Sequence, residues 1–339
     1  MMDKTKVHNI LFITLSNIGD VILTLPVLGV LEKEFHNAKI SVMVSPQAKE
    51  IFVNDPAISK IISYDKHISF LEKIKLGRRL KRRNFDLVVD LRSTLYPVLI
   101  NAPYRTSLWG RPRGGHPMVG DEHKRHIHLN KLLPLGLDVQ NATYNLFFSE
   151  EDKRTTKSIF EEFNISEADK IVAVAPGAKS HIKRWTMSGF TKVCQRLNRE
   201  LGIKVLLVGD TNDKEITSQI LSAQALSDTY DISGRTNMHQ SGCLLSRCKL
   251  LITNDSAPLH LADIVNIHCV AIFGPTDHIK YGPTLENSVV IRKNLKCSPC
   301  EKAQCAFNLE CMKQINADEV FEAAKAVIAG SKAMKQSQK

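Results

Sequence analysis

The chain has 339 residues, 43% of them hydrophobic, which is enough material for two packed domains. A formal net charge of +11 indicates a surface that attracts anions such as phosphates, nucleic acid or an acidic membrane face. No stretch approaches the roughly 20 consecutive apolar residues that span a bilayer, and the apolar run 10–15 is too short for a signal peptide, which favours a cytoplasmic protein.

The first 150 residues alternate strand-like and helix-like patterns. Apolar runs predict strands at 10–15, 39–44, 61–63 and 86–91, and helical spacing predicts helices at 21–35 and 70–83. This alternation is typical of a parallel sheet with helices on both faces. An irregular stretch rich in proline and glycine, 93–135, follows, and 145–148 is interpreted as a last strand or a linker.

The same pattern restarts in the second half of the chain. Strands are predicted at 171–175, 204–208, 250–253 and 269–273, and helices at 149–169, 186–201 and 317–328. Two α/β units of similar size suggest two Rossmann-like domains that face each other across a cleft. We place the first at 1–150 and the second at 151–330, with a polar tail at 331–339.

Basic residues are concentrated in two runs, 73–83 (KIKLGRRLKRR) and 123–128 (HKRHIH). A run of charge usually marks a solvated face. The excess of Lys and Arg over Asp and Glu across the whole chain favours an anionic partner instead.

A polar turn, Ser16 to Asp20, follows the first predicted strand. Asp20 fits a helix N-cap or a first-turn acid, which is the plain structural interpretation. However, ligands in such sheets bind at the carboxyl ends of the strands. Asp20 is therefore also a candidate general base that deprotonates a hydroxyl.

A second polar loop, 176–185 (PGAKSHIKRW), follows the first strand of the second half. Lys179, Lys183 and Arg184 bring positive charge to it, which suits a diphosphate. Its small residues, Gly177 and Ala178, would let the backbone approach a ligand closely. A basic surface loop without a ligand is the alternative.

A third stretch, 253–262 (TNDSAPLHLA), runs from a predicted strand into a helix. Asn254, Asp255 and Ser256 are all good N-caps, and Pro258 suits the first helical turn. A helix N-terminus at the end of a parallel strand is a site where anions bind. A capped helix with no ligand is the alternative.

The sequence contains no dinucleotide fingerprint, no P-loop and no DxD-type acidic pair for a divalent cation. We therefore expect lysines and helix dipoles, not a metal, to neutralise bound phosphates, and no cofactor is expected. Four cysteines, Cys297, Cys300, Cys305 and Cys311, begin with a zinc-like CxxC spacing. The uneven remaining spacing favours a compact loop of half-buried thiols without metal.

Taken together, these stretches resemble the ADP-heptose:lipopolysaccharide heptosyltransferases of glycosyltransferase family nine. The similarity to the family's motifs runs in the same order, from about residue 10 to residue 327. It includes the opening ILFITLSNIGD, the loops quoted above, the later FGPTD and the cysteine-containing tail CSPCEKAQC. The resemblance implies a GT-B fold. In that fold the first Rossmann-like domain mainly binds the acceptor and the second binds the nucleotide sugar.

The resemblance also implies roles for single residues. Asp20 matches the family's general base, and Lys183 matches the lysine that contacts the donor phosphates. The other expected donor-site residues are Asp255, Ser256, Ala257, His260, Glu215, Ala178 and Lys179. The expected acceptor-site residues are Ser16, Gly19, Arg92 and Arg111. The basic run 73–83 is expected, with the two arginines, to meet the acceptor's anionic groups or anionic lipid. Ala257 departs from the glycine that is usual there, and its methyl group would crowd a phosphate.

The implied function is inverting, metal-independent transfer of a heptose to the inner core of lipopolysaccharide. The implied partners are a nucleotide sugar and a phosphorylated glycolipid at the cytoplasmic face of the inner membrane, with no nucleic acid. Two alternatives stay open at this point. One is a relative that uses another nucleotide sugar or acceptor, and the other is a non-catalytic basic protein that binds nucleotides or nucleic acid.

Overall fold

The computed structural model describes residues 2–65, 67–107, 122–222 and 227–330. The chain divides into two compact units, Met1–Phe147 and Phe148–Lys339. Each unit is built on its own parallel sheet, so the predicted α/β class with two Rossmann-like units is confirmed. The predicted tail, 331–339, lies outside the described residues. In the described part of the chain every helix is too short or too polar to cross a bilayer.

The first unit has a five-stranded sheet with the order β3-β2-β1-β4-β5. Its strands are β1 (Asn9–Ile13), β2 (Lys39–Val44), β3 (Ile58–Ser63), β4 (Leu87–Asp90) and β5 (Tyr104–Arg105). Its described helices are α1 (Ile18–Ile22), α2 (Leu25–Glu34), α3 (Phe70–Lys81), α4 (Tyr96–Ile100) and α5 (Lys124–Asn130). Ile13 pairs with Met43 on one side and with Asp90 on the other. The strand order therefore reverses at β1 and β4, and ligands bind at such a switch point.

One predicted helix, 21–35, is two helices in the structure. Pro26 lies in the first turn of α2 and has no N–H group to continue α1. At the break the buried Thr24 hydroxyl donates to the Val21 carbonyl oxygen at 2.6 Å and shares a 2.7 Å hydrogen bond with Thr14. The stretch 145–148, predicted as a strand or a linker, contains no regular structure.

The second unit has a six-stranded sheet with the order β11-β10-β9-β6-β7-β8. Its strands are β6 (Ile171–Ala175), β7 (Lys204–Leu207), β8 (Thr229–Asp231), β9 (Leu250–Asn254), β10 (Cys269–Ile272) and β11 (Val289–Ile291). Its described helices are α6 (Glu150–Glu162), α7 (Met187–Leu201), α8 (Lys214–Leu221), α9 (Met238–Leu245), α10 (Ala257–Ile264), α11 (His278–Tyr281), α12 (Glu310–Lys313) and α13 (Ala317–Ile328). The edge strands β8 and β11 have three residues each, too few to show a period in the sequence.

The switch point of the second sheet lies between β6 and β9. Ala175, the last residue of β6, pairs with Thr253 near the end of β9. The two loops that follow these strands therefore start side by side at the carboxyl edge of the sheet. This edge is where the sequence predicts the donor site.

Candidate functional site

A buried amide joins the two loops at the switch point of the second unit. Asn254, at the end of β9, is fully buried. Its Oδ1 accepts a 3.0 Å hydrogen bond from the Trp185 backbone N–H, and its Nδ2 donates to the Pro176 carbonyl oxygen at 2.8 Å. Asn254 thus holds both ends of the loop 176–185. The sequence indicates Asn254 only as a possible cap; its position directly after an apolar strand is the signal for this larger role.

An ion pair lies at the same switch point. The Lys183 Nζ donates to the Asp255 Oδ2 at 2.6 Å. The Asp255 side chain is only 5% exposed, and the Lys183 side chain is 31% exposed. An ammonium group has three N–H donors, so Lys183 keeps donors for a further anion while it binds Asp255. The structure therefore brings two predicted donor-site residues together and gives Asp255 the role of holding the lysine.

The N-terminus of α10 adjoins this ion pair. Ser256 is the N-cap residue, and its hydroxyl lies 3.3 Å from the Thr253 hydroxyl and 3.4 Å from the Asn254 carbonyl oxygen. The half-buried Ala257 begins the helix, and His260, one turn on, is buried. The first turn of an eight-residue helix carries partial positive charge from the backbone dipoles. It adds to the charge of Lys183.

The small residue Gly177 has a different explanation from the predicted one. A Cβ atom at Gly177 would overlap the Asp213 carboxylate, and one at Gly209 would lie 2.6 Å from Asp213 Oδ2. The space at Gly177 that the sequence assigns to a ligand is thus occupied by a side chain of the protein. Burial raises the pKa of Asp213. Asp213 has no signal in the sequence, because the contact joins two strand ends that lie far apart along the chain.

The remaining predicted donor residues occupy three different environments. Ala178 is buried, and its carbonyl oxygen accepts a 2.8 Å hydrogen bond from the Arg184 Nε. Lys179 is exposed on the same loop. Glu215 is exposed in the first turn of α8, after β7, the strand next to β6. All three follow strands at or beside the switch point.

Asp20 lies at the switch point of the first unit. It is half-buried in the first turn of α1, and its Oδ2 accepts a 2.9 Å hydrogen bond from the Asn17 Nδ2. Gly19 precedes it in the same short helix. The Ser16 carbonyl oxygen accepts a 2.6 Å hydrogen bond from the Ser45 hydroxyl, which connects the loops after β1 and β2. Asn17 orients the carboxylate, a role that the sequence analysis does not assign.

Arg92 lies after β4, the strand next to β1. Its backbone N–H donates to the buried Asp90 Oδ1 at 2.8 Å, and its guanidinium carbon lies 4.8 Å from the centre of the Tyr64 ring. The Thr94 N–H also donates to Asp90, at 2.6 Å, so Asp90 shapes this loop. The other arginine predicted to bind the acceptor, Arg111, lies outside the described residues.

The four C-terminal cysteines are free thiols; Cys297, Cys300 and Cys305 lie in the loop before α12, and Cys311 lies in α12 itself. The Cys300 N–H donates to the Pro275 carbonyl oxygen at 2.9 Å, so the loop is attached to the segment after β10. Burial, followed by the neighbouring thiols, raises the pKa of Cys311. Among the described residues no group of three or more His, Cys, Asp or Glu side chains is arranged to hold a metal ion. The expectation that no metal binds stays a prediction.

Comparison with known proteins shows the family to which this chain belongs. The profile of glycosyltransferase family 9 (heptosyltransferase) matches residues 73–310. Lipopolysaccharide heptosyltransferase 3 of Escherichia coli K12 is 26% identical over 290 residues, covering 80% of this chain and 84% of that protein.

Two solved structures share the fold over nearly the whole length. The crystal structure of the glycosyltransferase family 9 protein from Veillonella parvula has a TM-score of 0.82 at 24% identity and covers 98% of this chain and 99% of that one. The E. coli ADP-heptose lipopolysaccharide heptosyltransferase II has a TM-score of 0.72 at 23% identity, covering 95% and 99%. The GT-B class is thereby confirmed. Because the family profile covers more than half of its length, this chain belongs to glycosyltransferase family 9, the heptosyltransferases, and is a glycosyltransferase.

Proposed function

We propose that this glycosyltransferase transfers a heptose from ADP-heptose to the inner core of lipopolysaccharide. One observation carries the proposal. The Lys183–Asp255 ion pair fixes a cation beside the N-terminus of α10, at the switch point of the second sheet. A diphosphate is the kind of ligand that such a place binds. The names of the relatives, which specify lipopolysaccharide and ADP-heptose, support the choice of acceptor and donor.

The proposed reaction is a single displacement. Asp20 accepts the proton of an acceptor hydroxyl as general base, and that oxygen forms a bond to the anomeric carbon of the heptose. The bond from this carbon to the diphosphate breaks, and its electron pair leaves with ADP. Attack and departure occur on opposite faces, so the anomeric configuration inverts. Lys183 and the first turn of α10 stabilise the charge that develops on the leaving diphosphate.

The same groups support transfer without a divalent cation, because Lys183 and the helix dipole supply positive charge at the diphosphate. The acceptor in this proposal is a phosphorylated glycolipid, which suits the net charge of +11. Arg92, beside the loop of Asp20, is proposed to bind its anionic groups. The enzyme then works on the cytoplasmic face of the inner membrane as a peripheral protein.

The test separates the base from the donor site. Asp20→Asn keeps the shape of the side chain but removes the base, so we expect the transfer rate to fall by about 10²- to 10⁴-fold while ADP affinity is unchanged. Lys183→Ala removes a charged hydrogen bond and is expected to weaken ADP binding by roughly 10- to 100-fold. It also leaves the buried Asp255 carboxylate unpaired, so the free energy of unfolding is measured on the same variant. Radiolabelled transfer assays measure the transfer rate, and titration calorimetry measures the ADP affinity. A chelator is expected to change neither the rate nor the affinity.

Lys192→Ala is the control for Lys183→Ala, since Lys192 is an exposed lysine on α7 of the same unit. Full transfer activity in Asp20→Asn would exclude Asp20 as the base. Tighter binding of another nucleoside diphosphate than of ADP would assign a different donor.

A further inference from the structure

Large apolar side chains are exposed on α3 and α4 of the first unit. Phe70 and Leu71, in the first turn of α3, are 75% and 68% exposed, and Leu95, directly before α4, is 70% exposed. Val98 and Leu99 are 48% and 50% exposed. They lie three and four positions after Leu95, so these three residues share one side of the helix.

The two helices pack directly on each other. A Cβ atom at Gly77 of α3 would lie 3.5 Å from the Leu99 Cδ1 and 3.7 Å from the Tyr96 Cε1 of α4. The Tyr96 hydroxyl donates to the Lys73 carbonyl oxygen at 3.5 Å. The exposed side chains of α4 therefore lie beside α3. We call the five exposed apolar residues together with the basic residues from 73 to 83 the α3–α4 surface.

Seven cations lie on α3 or directly after it. Between residues 72 and 83 the basic residues are Lys73, Lys75, Arg78, Arg79, Lys81, Arg82 and Arg83. The acid in this range, Glu72, accepts hydrogen bonds from the Ser69 N–H at 2.8 Å and from its hydroxyl at 2.7 Å, as part of the capping box of α3. Within the described residues, none of the seven cations lies within 4.0 Å of a carboxylate oxygen. The surface therefore carries strong positive potential.

Exposed apolar side chains next to a dense row of Lys and Arg match the chemistry of a bilayer surface that contains anionic lipids. The apolar groups enter the boundary between headgroups and acyl chains, and the cations attract the headgroups. A nucleic acid would match the cations but would leave the leucines of α4 in water. We propose that the α3–α4 surface docks the first unit on an anionic lipid bilayer. The proposed function supplies the reason, a lipid-anchored acceptor, but the docking itself involves neither donor nor transfer.

The experiment is co-sedimentation of the full-length protein with lipid vesicles. One set of vesicles is phosphatidylcholine alone, and the other is a mixture of phosphatidylcholine with phosphatidylglycerol as the minor component. We expect binding to the anionic vesicles only, and weaker binding as salt is added. Each charge removed in Arg78→Gln and Arg79→Gln is expected to weaken binding by about fivefold. Phe70→Ser is expected to weaken it by roughly tenfold.

Matched controls place the same changes on the second unit. Phe307 is 55% exposed, so Phe307→Ser removes a similar side chain, and the exposed Lys192 and Arg199 of α7 are changed to Gln. These variants are expected to keep full vesicle binding. ADP affinity, measured by calorimetry on every variant, reports whether the second unit is folded, and circular dichroism reports whether the chain as a whole is folded.

Equal binding to both kinds of vesicle, or equal binding of the Phe70, Arg78 and control variants, would overturn the proposal. Competition by a duplex oligonucleotide would also overturn the proposal if the oligonucleotide displaces the vesicles and binds the Phe70→Ser variant equally well. The surface would then bind nucleic acid. If the protein binds anionic vesicles but shows no heptosyl transfer, the proposed function is refuted and the docking proposal still holds.

Discussion

Two residues at the proposed donor site, Asn254 and Asp255, hold the loop that contains Lys183 in place. Asn254 carries no charge, yet it binds the backbone at both ends of the loop that contains Lys183. Asp255 is almost completely buried and is paired with Lys183. Removing one partner of such a pair leaves an uncompensated charge in the protein, which is strongly destabilising. The geometry of Lys183 therefore depends on Asn254, the last residue of β9, and on Asp255 directly after it.

Asn254→Asp tests this dependence. The carboxylate keeps the acceptor for the Trp185 N–H but places an oxygen against the Pro176 carbonyl, where the amide now donates at 2.8 Å. We expect a loss of about 1–3 kcal/mol in the free energy of unfolding and weaker ADP binding, measured by denaturation and by titration calorimetry.

Asn198→Asp is the matched control, because Asn198 is also buried and its Nδ2 donates to the Ile203 carbonyl at 2.8 Å, away from the loops at the switch point. It is expected to destabilise the protein without changing ADP affinity. An equal loss of ADP affinity in both variants would show that Asn254 has no specific part in positioning the loop.

The acid Glu32 on α2 makes the first unit sensitive to pH. Burial, with a contribution from the charge of Asp55, raises the pKa of Glu32 to about 7. Asp55 itself accepts a hydrogen bond from the buried Tyr144 hydroxyl. Between the ordinary glutamate pKa and about 7, the unfolded chain has lost the Glu32 proton while the folded protein keeps it. Stability therefore falls as the pH rises through this window.

Glu32→Gln is expected to remove this loss, because the amide mimics the protonated acid. The variant should be more stable than the unchanged protein at about pH 8, by on the order of 2 kcal/mol, and nearly equal to it at about pH 4. Urea denaturation at the two pH values measures the difference. Glu151→Gln, at an exposed glutamate of α6, is the control that should change little at either pH. The same effect of Glu32→Gln at both pH values would contradict the raised pKa.

At the scale of elements, α2 and α3 differ in how closely they pack. A Cβ atom at Gly29 of α2 would overlap the Thr143 carbonyl oxygen. At Gly77 of α3 it would meet only side-chain atoms, at 3.5 to 3.8 Å, which is ordinary contact. Both glycines lie inside helices, where glycine is unfavourable compared with alanine. Only Gly29 is required by the fold.

The two substitutions to alanine are therefore expected to have opposite signs. Gly29→Ala pushes α2 away from the backbone of Thr143 and is expected to cost about 1–3 kcal/mol in the free energy of unfolding. Gly77→Ala is expected to stabilise the protein by about 0.5–1 kcal/mol. Chemical denaturation of both variants measures the pair. A Gly29→Ala variant as stable as the unchanged protein would show that the helix can move away at no cost.

At the scale of the whole molecule, two sheets of the same order carry the candidate site residues. In each unit the first strand of the chain is an inner strand of the sheet. The next two strands lie on one side of it, and the later strands lie on its other side. The candidate base Asp20 follows the first strand of one sheet, and Lys183 follows the first strand of the other. Ligand sites at switch points result from this order, because helices on either side leave the carboxyl edge open.

Local sequence patterns predict the alternation of strands and helices and the polar loops that carry the candidate site residues. The bounds of β2, β6 and α13 agree with the apolar runs and helical spacing at 39–44, 171–175 and 317–328, since periodicity is a local property of the chain. The polar loops after the strands, with Asp20, Lys183 and Asp255, were also recognisable, because motifs of this kind are short and contiguous.

Which of these loops are neighbours, and which residues they contact, depends on the tertiary fold. Lys183 and Asp255 are 72 positions apart, and their pairing depends on β6 lying next to β9. The filling of the space at Gly177 by the Asp213 side chain depends on tertiary packing in the same way. Strand order and side-chain contacts form when segments that are distant along the chain pack together and bury apolar surface. A local sequence pattern therefore does not predict them.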